Sequence, residues 1–100
     1  MKWYNYLACF FFGIFLVNSL PHFFYGISGD YLPTPFANPP GKGLSSPIIN
    51  LIWGYCNILI SLLLFKVSKI TFKDKWAIVL FLIGFVLMSI GMSLSFTNKG

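Results

Sequence analysis

The sequence predicts an all-α membrane protein with three transmembrane helices, and three observations support this prediction. Apolar runs without a charged residue cover most of the chain, at about 3–22, 47–65 and 76–96. Charged residues make up only 9% of the 100 residues, whereas a soluble domain carries about a quarter. The seven lysines lie almost entirely between or outside the apolar runs. We therefore expect a single integral membrane domain over residues 1–100.

The first run has the length of a membrane-spanning helix. Twenty residues at about 1.5 Å each match the hydrocarbon core of a bilayer. A cleaved signal peptide is the alternative, because Lys2 precedes an apolar stretch that ends in Val17-Asn18-Ser19. However, the stretch lacks an A-x-A cleavage site, and Phe23 and Phe24 continue its apolar body, so we expect a retained helix.

Polar residues of the second run recur at the spacing of one helix face. Asn50, Gly54, Asn57 and Ser61 follow each other at i, i+4, i+7 and i+11. Asn57 lies about 15 Å beyond the start of the run, near the bilayer midplane, where lipid cannot satisfy an amide. The stripe is therefore expected to face another helix or a wet cavity.

Asn18 and His22 share a face near the end of the first run, one helical turn apart. Because the second helix returns antiparallel, these two side chains are expected at the same depth as Asn50. The sequence predicts a cluster of these three residues, roofed by the loop. Interhelical hydrogen bonding is one interpretation of the cluster, and a small binding pocket with a proton-responsive His22 is the other.

The third run carries small residues at a seven-residue spacing. Ala77, Gly84 and Gly91 form the repeat, and Ser95 lies on the same side. Small residues let helix backbones approach closely, so this face is predicted to pack against another helix of the chain or of a neighbouring subunit. Gly54 and Ser61 of the second run are assigned the same packing role.

The connection between the first two runs is rich in proline and glycine. All six prolines lie between positions 21 and 47, which excludes a regular helix there. The apolar side chains of this segment favour a loop folded over the bundle instead of a disordered linker. At its end Ser45 and Ser46 precede Pro47, a helix N-cap signature, and with Lys42 they form a candidate anion site.

The lysine distribution predicts the orientation. Four lysines lie within residues 66–75 and Lys2 precedes the first run, whereas the rest of the chain has only Lys42 and Lys99. Cytoplasmic loops carry the excess of lysine. We therefore expect the N-terminus inside, the first loop and C-terminus outside, and a cell membrane of the bacterial inner-membrane type.

Several classes of function are not expected. An enzyme would need more participants than His22 and Asp30 offer. The net charge of +5 comes from lysines that flank the predicted membrane spans, so we expect no nucleic-acid partner. A single histidine and two isolated cysteines, Cys9 and Cys56, predict neither a metal site nor a disulfide, and nothing indicates a cofactor.

Three functional classes remain. The first is a membrane protein that binds a ligand, lipid or protein partner at its outer face, through Asn18, His22, Lys42, Ser45, Ser46, Asn50 and Asn57. The second is an oligomeric pore or transport module whose path is lined by the second-run stripe; holin-like proteins share the three-span plan by analogy of architecture, without a shared motif. The third is an accessory or immunity subunit of a larger membrane complex. A homo-oligomer is compatible with each.

Overall fold

The computed structural model describes residues 1–97, which form three α-helices: α1 (Trp3–Ile27), α2 (Pro47–Ser68) and α3 (Lys75–Thr97). No β-strand occurs within this range. The helices have 25, 22 and 23 residues, so each is about 33–38 Å long. The mean hydropathy of their most apolar 18-residue windows is 1.8, 2.0 and 2.5. All three helices are long and apolar enough to cross a membrane.

Two helices extend beyond their predicted ends. The first was predicted to end at residue 22, but α1 continues through the apolar residues that follow to Ile27, and the chain turns at Gly29 with φ +75°. The second was predicted to end at residue 65, but α2 ends at Ser68, with Lys69 left-handed at its C-cap. In α2 the charge-free run underestimates the helix length, because Lys66 and Ser68 at the end of the span still extend the hydrogen-bonded backbone.

The bundle is built around α1. Polar contacts pair the start of α1 with the end of α2 and the end of α1 with the start of α2, so these helices run antiparallel. Tyr6 near the start of α1 contacts Asp74 just before α3, and His22 near the end of α1 contacts Phe96 near the end of α3, so α1 and α3 run parallel. Both α2 and α3 pack against α1, whereas α2 and α3 do not pack against each other over residues 1–97. This leaves a gap between α2 and α3 with α1 as its floor.

Two glycines allow the close approach of α1 and α3. A Cβ atom added to Gly13 would overlap the carbonyl oxygen of Phe81, and one added to Gly84 would overlap that of Phe10. The backbones are therefore in direct contact at this crossing, as is common for small residues at helix interfaces in membranes.

One end of the bundle is joined by side-chain hydrogen bonds. Asn5 donates from Nδ2 to the carbonyl oxygen of Val67 at 2.8 Å, which ties α1 to α2. The Tyr6 hydroxyl donates to Oδ2 of Asp74 at 2.8 Å, which ties α1 to the start of α3. This hydrogen bond holds the pKa of the Asp74 carboxyl below its ordinary value.

The two ends differ in charge. Lys2 and the four lysines of residues 66–75 all lie at the end just described, which we call the lysine end. The opposite end, where residues 28–46 connect α1 to α2, is called the loop end and carries Lys42. Lys99 lies outside the described residues.

Residues 28–46 fold onto the loop end. Leu32 and Thr34 are each 1% exposed, and Leu32 forms an isolated antiparallel bridge with Ser45. The Thr34 and Ser45 hydroxyls are 2.7 Å apart, and both side chains are buried. Buried side chains and internal hydrogen bonds hold residues 28–46 against the helices.

Candidate functional site

A cavity of about 440 Å³ lies at the loop end, in the gap between α2 and α3. All three helices and the loop line it. Polar side chains enter from α1, where Asn18 and His22 lie on successive turns, and Trp53 enters from α2. The other lining residues come from the loop and from α3: Pro33, Thr34, Pro35, Gly41, Met88, Gly91, Met92, Ser95 and Phe96. Loop residues form part of the cavity wall, and α2 and α3 do not pack against each other over residues 1–97.

The proton on the His22 ring can be located from its partners. His22 is 2% exposed, and its Nδ1 lies 2.8 Å from Oδ1 of Asn50. Nδ2 of Asn50 lies 3.0–3.1 Å from the carbonyl oxygens of Leu32, Ser45 and Ser46. Because carbonyl oxygens only accept, these contacts orient the amide and leave Oδ1 as the acceptor toward the ring. Nδ1 of His22 therefore carries the proton.

The other ring nitrogen faces the cavity. In a neutral imidazole protonated at Nδ1, Nε2 is an acceptor. Nε2 of His22 has no hydrogen-bond partner among residues 1–97, and every fully buried side-chain nitrogen or oxygen in that range has one. Nε2 must therefore be accessible at the cavity wall. The rings of Trp53 and Phe96 meet the imidazole edge to face, with centroids 6.4 Å and 5.9 Å away.

A second acceptor is fixed in the same way. Nδ2 of Asn57 donates to the Trp53 carbonyl oxygen at 2.8 Å, so Oδ1 of Asn57 points away from that carbonyl. This oxygen accepts from Nδ2 of Asn18 at 2.9 Å. Asn18 is half-buried and lines the cavity, and its Oδ1 has no partner among residues 1–97. The cavity thus presents two acceptors on one face of α1, Asn18 Oδ1 and His22 Nε2.

The structure brings together part of the predicted cluster. His22 bonds to Asn50, and the loop carbonyls complete the hydrogen bonding of Asn50. Asn18, in contrast, pairs with Asn57 one layer deeper and not with Asn50. The reason is depth: Asn18 lies one turn below His22, and Asn57 lies two turns below Asn50 on the antiparallel helix. The ligand-binding role of these residues stays a prediction.

The polar stripe of α2 faces α1 along its length. Asn50, Gly54, Asn57 and Ser61 are all buried. A Cβ atom on Gly54 would lie 2.9 Å from the backbone nitrogen of Phe23, so this glycine marks a close helix contact. Ser61 donates to a carbonyl oxygen of its own helix. The stripe is covered by α1 rather than open to a central path.

The three predicted anion-binding residues, Lys42, Ser45 and Ser46, have different surroundings. Ser46 caps α2 through its hydroxyl, which accepts from the backbone N–H of Ile49 at 3.4 Å. Ser45 is buried and its hydroxyl is bonded to Thr34. Lys42 is exposed and does not line the cavity. The anion site stays a prediction.

The small residues of α3 divide between two environments. Ala77 and Gly84 are buried, and Gly84 packs directly on α1. Gly91 and Ser95 are exposed and line the cavity, and a Cβ atom on Gly91 would meet nothing within 4 Å. The seven-residue repeat therefore follows α1 only over its first half, since α3 faces the cavity further along.

Other lining residues could not be identified from the sequence. Met88, Met92 and Phe96 are apolar side chains of an apolar helix, so nothing in their pattern separates a cavity wall from a lipid-facing surface. Thr34, placed between two prolines, carried the only detectable signal, a lone polar residue in a constrained segment. Trp53 lies in the second turn of α2, where its carbonyl oxygen accepts from Asn57 and its ring contacts His22.

The chemistry available at the cavity is binding through neutral groups, which are the acceptors of Asn18 and His22 and the donors carried by Trp53 and Ser95. Within residues 1–97 no three His, Cys, Asp or Glu side chains are grouped so that they could hold a metal ion. A further cavity of about 290 Å³ lies near the lysine end and is lined by Thr71 and six apolar residues. No family model, curated protein or solved structure matches this chain.

Proposed function

We propose that this chain is a three-span protein of a bacterial-type inner membrane that binds a ligand at its outer face. Three helices of sufficient length and apolar character support the membrane assignment. Their outward faces carry large exposed apolar side chains, such as Leu59, Leu63 and Leu94 at 62–70% exposure. Such side chains need lipid or a partner to cover them.

Charge supports the proposed orientation. The lysine end carries five lysines, and the loop end carries only Lys42 among residues 1–97. By the positive-inside rule the lysine end is cytoplasmic, so the loop end and its cavity face outward.

One observation carries the binding function: a buried histidine with a free acceptor at the wall of a cavity. His22 is held by Asn50, which is held in turn by the loop, and yet Nε2 of the ring is left without a partner among residues 1–97. Purely structural polar groups in a membrane are expected to be satisfied within the protein. A rigidly positioned acceptor at a cavity wall is what a binding site requires.

The pocket accounts for the polar residues of α2 better than a pore does. In a pore the stripe would face a common aqueous path, but all four of its members are buried against α1. Rotating them toward a path would break the bond between Asn18 and Asn57 and the bond between His22 and Asn50.

The test fills the cavity without breaking any contact. The Gly91→Phe variant adds a ring at a position where a Cβ atom has open space. Wild-type protein and this variant are purified in mild detergent, and co-purifying small molecules are identified by mass spectrometry. We expect a molecule that wild-type protein retains and Gly91→Phe loses.

The matched control places the same ring on the other side of α3. Ser93 is exposed and does not line the cavity, so Ser93→Phe should retain the molecule. If wild-type protein retains nothing, or if both variants retain it equally, the cavity is not a binding site. If the protein conducts ions in liposomes and no molecule co-purifies with it, the pore is favoured instead.

A further inference from the structure

We propose that the cavity recognises a neutral polyol, a pair of neighbouring hydroxyl groups, as found in a glyceryl or sugar headgroup. This inference rests on the proposed binding function and adds the chemical class of the ligand. It follows from which hydrogen-bonding atoms are left over at the cavity wall, and from which charges are absent there.

The free atoms select for a hydrogen-bond donor. Nε2 of His22 and Oδ1 of Asn18 both accept, because their partners Asn50 and Asn57 occupy the donor atoms of the two side chains. On α1 an anion such as a phosphate would face two lone pairs, whereas a hydroxyl group donates to these acceptors and can also accept from the lining residues that carry donors, Ser95 and Trp53. A ligand with O–H or N–H groups would complete both hydrogen bonds.

The absence of a counter-charge selects against a cation. The two acidic residues of the chain are Asp30 and Asp74, and neither lines the cavity. A buried ammonium group without a carboxylate loses hydration that neutral acceptors do not replace. Neutral hydroxyl groups lose much less, so they fit this wall best.

The spacing of the acceptors indicates two donors. Asn18 and His22 are four residues apart on α1, and side chains at this spacing start about 6 Å from each other. Two acceptors on successive turns of one helix face are matched by hydroxyl groups on neighbouring carbons. A single hydroxyl would leave one acceptor unsatisfied.

The remaining wall suits a hydrocarbon. Met88 and Met92 lie on successive turns of α3 below Phe96 and line the cavity, and α2 and α3 do not pack against each other over residues 1–97. The proposed lipid enters between these two helices, with its hydroxyl groups at α1 and its chain along the methionines. A free polyol carries the same hydroxyl chemistry, and the experiment separates the two sources.

The experiment uses Trp53 as the reporter. Trp3 and Trp76 are the other two tryptophans and are 75% and 61% exposed, so Trp3→Phe and Trp76→Phe leave Trp53 as the single emitter. The protein is placed in nanodiscs of phosphatidylcholine, whose headgroup has no hydrogen-bond donor. Titration with 1-monooleoylglycerol, a neutral lipid with two neighbouring hydroxyls, should shift Trp53 emission saturably. The analogue with both hydroxyls methylated should not.

Variants link the signal to the two acceptors. His22→Asn keeps a donor near the position of Nδ1 but lacks Nε2, and we expect binding about tenfold weaker, the loss of one buried hydrogen bond. Asn18→Leu should weaken binding at least as much. The control Ser61→Ala removes a buried hydroxyl outside the cavity and should leave binding unchanged. Thermal melting establishes that each variant is folded. The Gly91→Phe variant, which fills the cavity and keeps the hydrogen bonds, should not bind the lipid.

The outcomes separate the ligand class from the function. If free glycerol at millimolar concentration displaces the lipid, the site is assigned to soluble polyols. If the lipid binds and glycerol does not displace it, the site is assigned to a lipid headgroup. Both outcomes support the hydroxyl chemistry. Tighter binding of phosphatidylethanolamine or phosphatidic acid, or equal binding of the methylated analogue, overturns it while the pocket stands. If none of these lipids moves Trp53 emission and Gly91→Phe loses no co-purifying molecule, the binding function fails too.

Discussion

At the scale of the residue, Asn50 connects the loop, α1 and α2. Its Oδ1 accepts from His22, and its Nδ2 is surrounded by carbonyl oxygens of the loop and of the α2 N-terminus. The residue is completely buried. An amide suits this position because one end donates and the other accepts, which allows it to serve a carbonyl and an imidazole N–H together.

Replacing Asn50 with Leu should therefore destabilise the protein. The change leaves Nδ1–H of His22 without an acceptor in an apolar environment, and the loop loses its bond to α2. We expect a loss of about 2–3 kcal/mol, the cost of one or two unpaired buried groups. The measurement is thermal unfolding in detergent. Asn38→Leu, in an exposed position of the same loop, is the control. An Asn50→Leu variant as stable as wild type would show that the junction contributes nothing.

At the scale of the element, the contact between α1 and α3 depends on the absence of side chains. Gly13 and Gly84 bring backbone against backbone, while Phe12 packs against Phe65 of α2 and Phe81 of α3 with centroids 5.3 Å and 5.0 Å away. Packing of this kind holds helices together in lipid, where no hydrophobic effect drives them together.

The two glycines of α3 should respond differently to the addition of a methyl group. Gly84→Ala places a Cβ atom against the carbonyl oxygen of Phe10 and should destabilise the bundle by about 1–3 kcal/mol through overpacking. Gly91→Ala adds the same methyl group in open space and should leave stability unchanged or slightly raised. Thermal melting of the pair is the measurement. Equal effects at both positions would contradict the close crossing.

The start of α3 is sensitive to acid through Asp74. Its Oδ1 accepts from the backbone N–H groups of Trp76 and Ala77, and its Oδ2 accepts from Tyr6. Because the Tyr6 bond lowers the pKa in the folded protein, the unfolded chain binds the proton more tightly. The stabilisation is therefore complete above the ordinary aspartate pKa, near pH 4, and is lost as the pH falls through the lower folded value.

Melting temperatures measured between about pH 3 and 6 check this expectation. Wild-type protein should lose stability toward the acid end, whereas Asp74→Asn should start lower and depend less on pH over this range. Tyr6→Phe removes the largest cause of the shift and should flatten the wild-type profile. A pH profile unchanged by Asp74→Asn would rule out this carboxylate as the origin.

At the scale of the whole molecule, α1 is the only helix among the described residues, 1–97, that contacts both others. The helices α2 and α3 remain apart there, and a separate cavity lies at each end of the bundle, a polar one at the loop end and an apolar one near the lysine end. Residues 28–46 line only the first of these cavities, so the polar site forms where the loop folds onto the helices.

Single cysteines at the two ends test the orientation of the molecule. Natural Cys9 and Cys56 are first replaced, and Lys42→Cys and Lys73→Cys are introduced separately. In intact cells a membrane-impermeant maleimide should label position 42 and should label position 73 only after the membrane is opened. Both residues are exposed, so burial does not mask either result. Labelling with the reverse preference would place the cavity in the cytoplasm.

How much was predictable depends on whether a residue differs from its neighbours. Asn18, His22, Asn50 and Asn57 are polar in apolar runs, so hydrogen bonding between α1 and α2, and the contact between His22 and Asn50, were predictable from helical spacing and depth. The pairing of Asn18 with Asn57 was not, because Asn18 was expected at the depth of Asn50 but lies one turn deeper than His22, on the level of Asn57. Met88 and Met92 could not be distinguished from lipid-facing neighbours.

By itself the sequence determined that the chain forms three helices long and apolar enough to cross a membrane, because apolar length and charge act on the chain one segment at a time. Only the tertiary structure decided that α1 lies between α2 and α3, that half of the α3 repeat leaves the interface, and that the loop closes a cavity with two free acceptors. Helices with apolar residues all round can pack on any face, and backbone contact at Gly13, Gly84 and Gly54 selects among them.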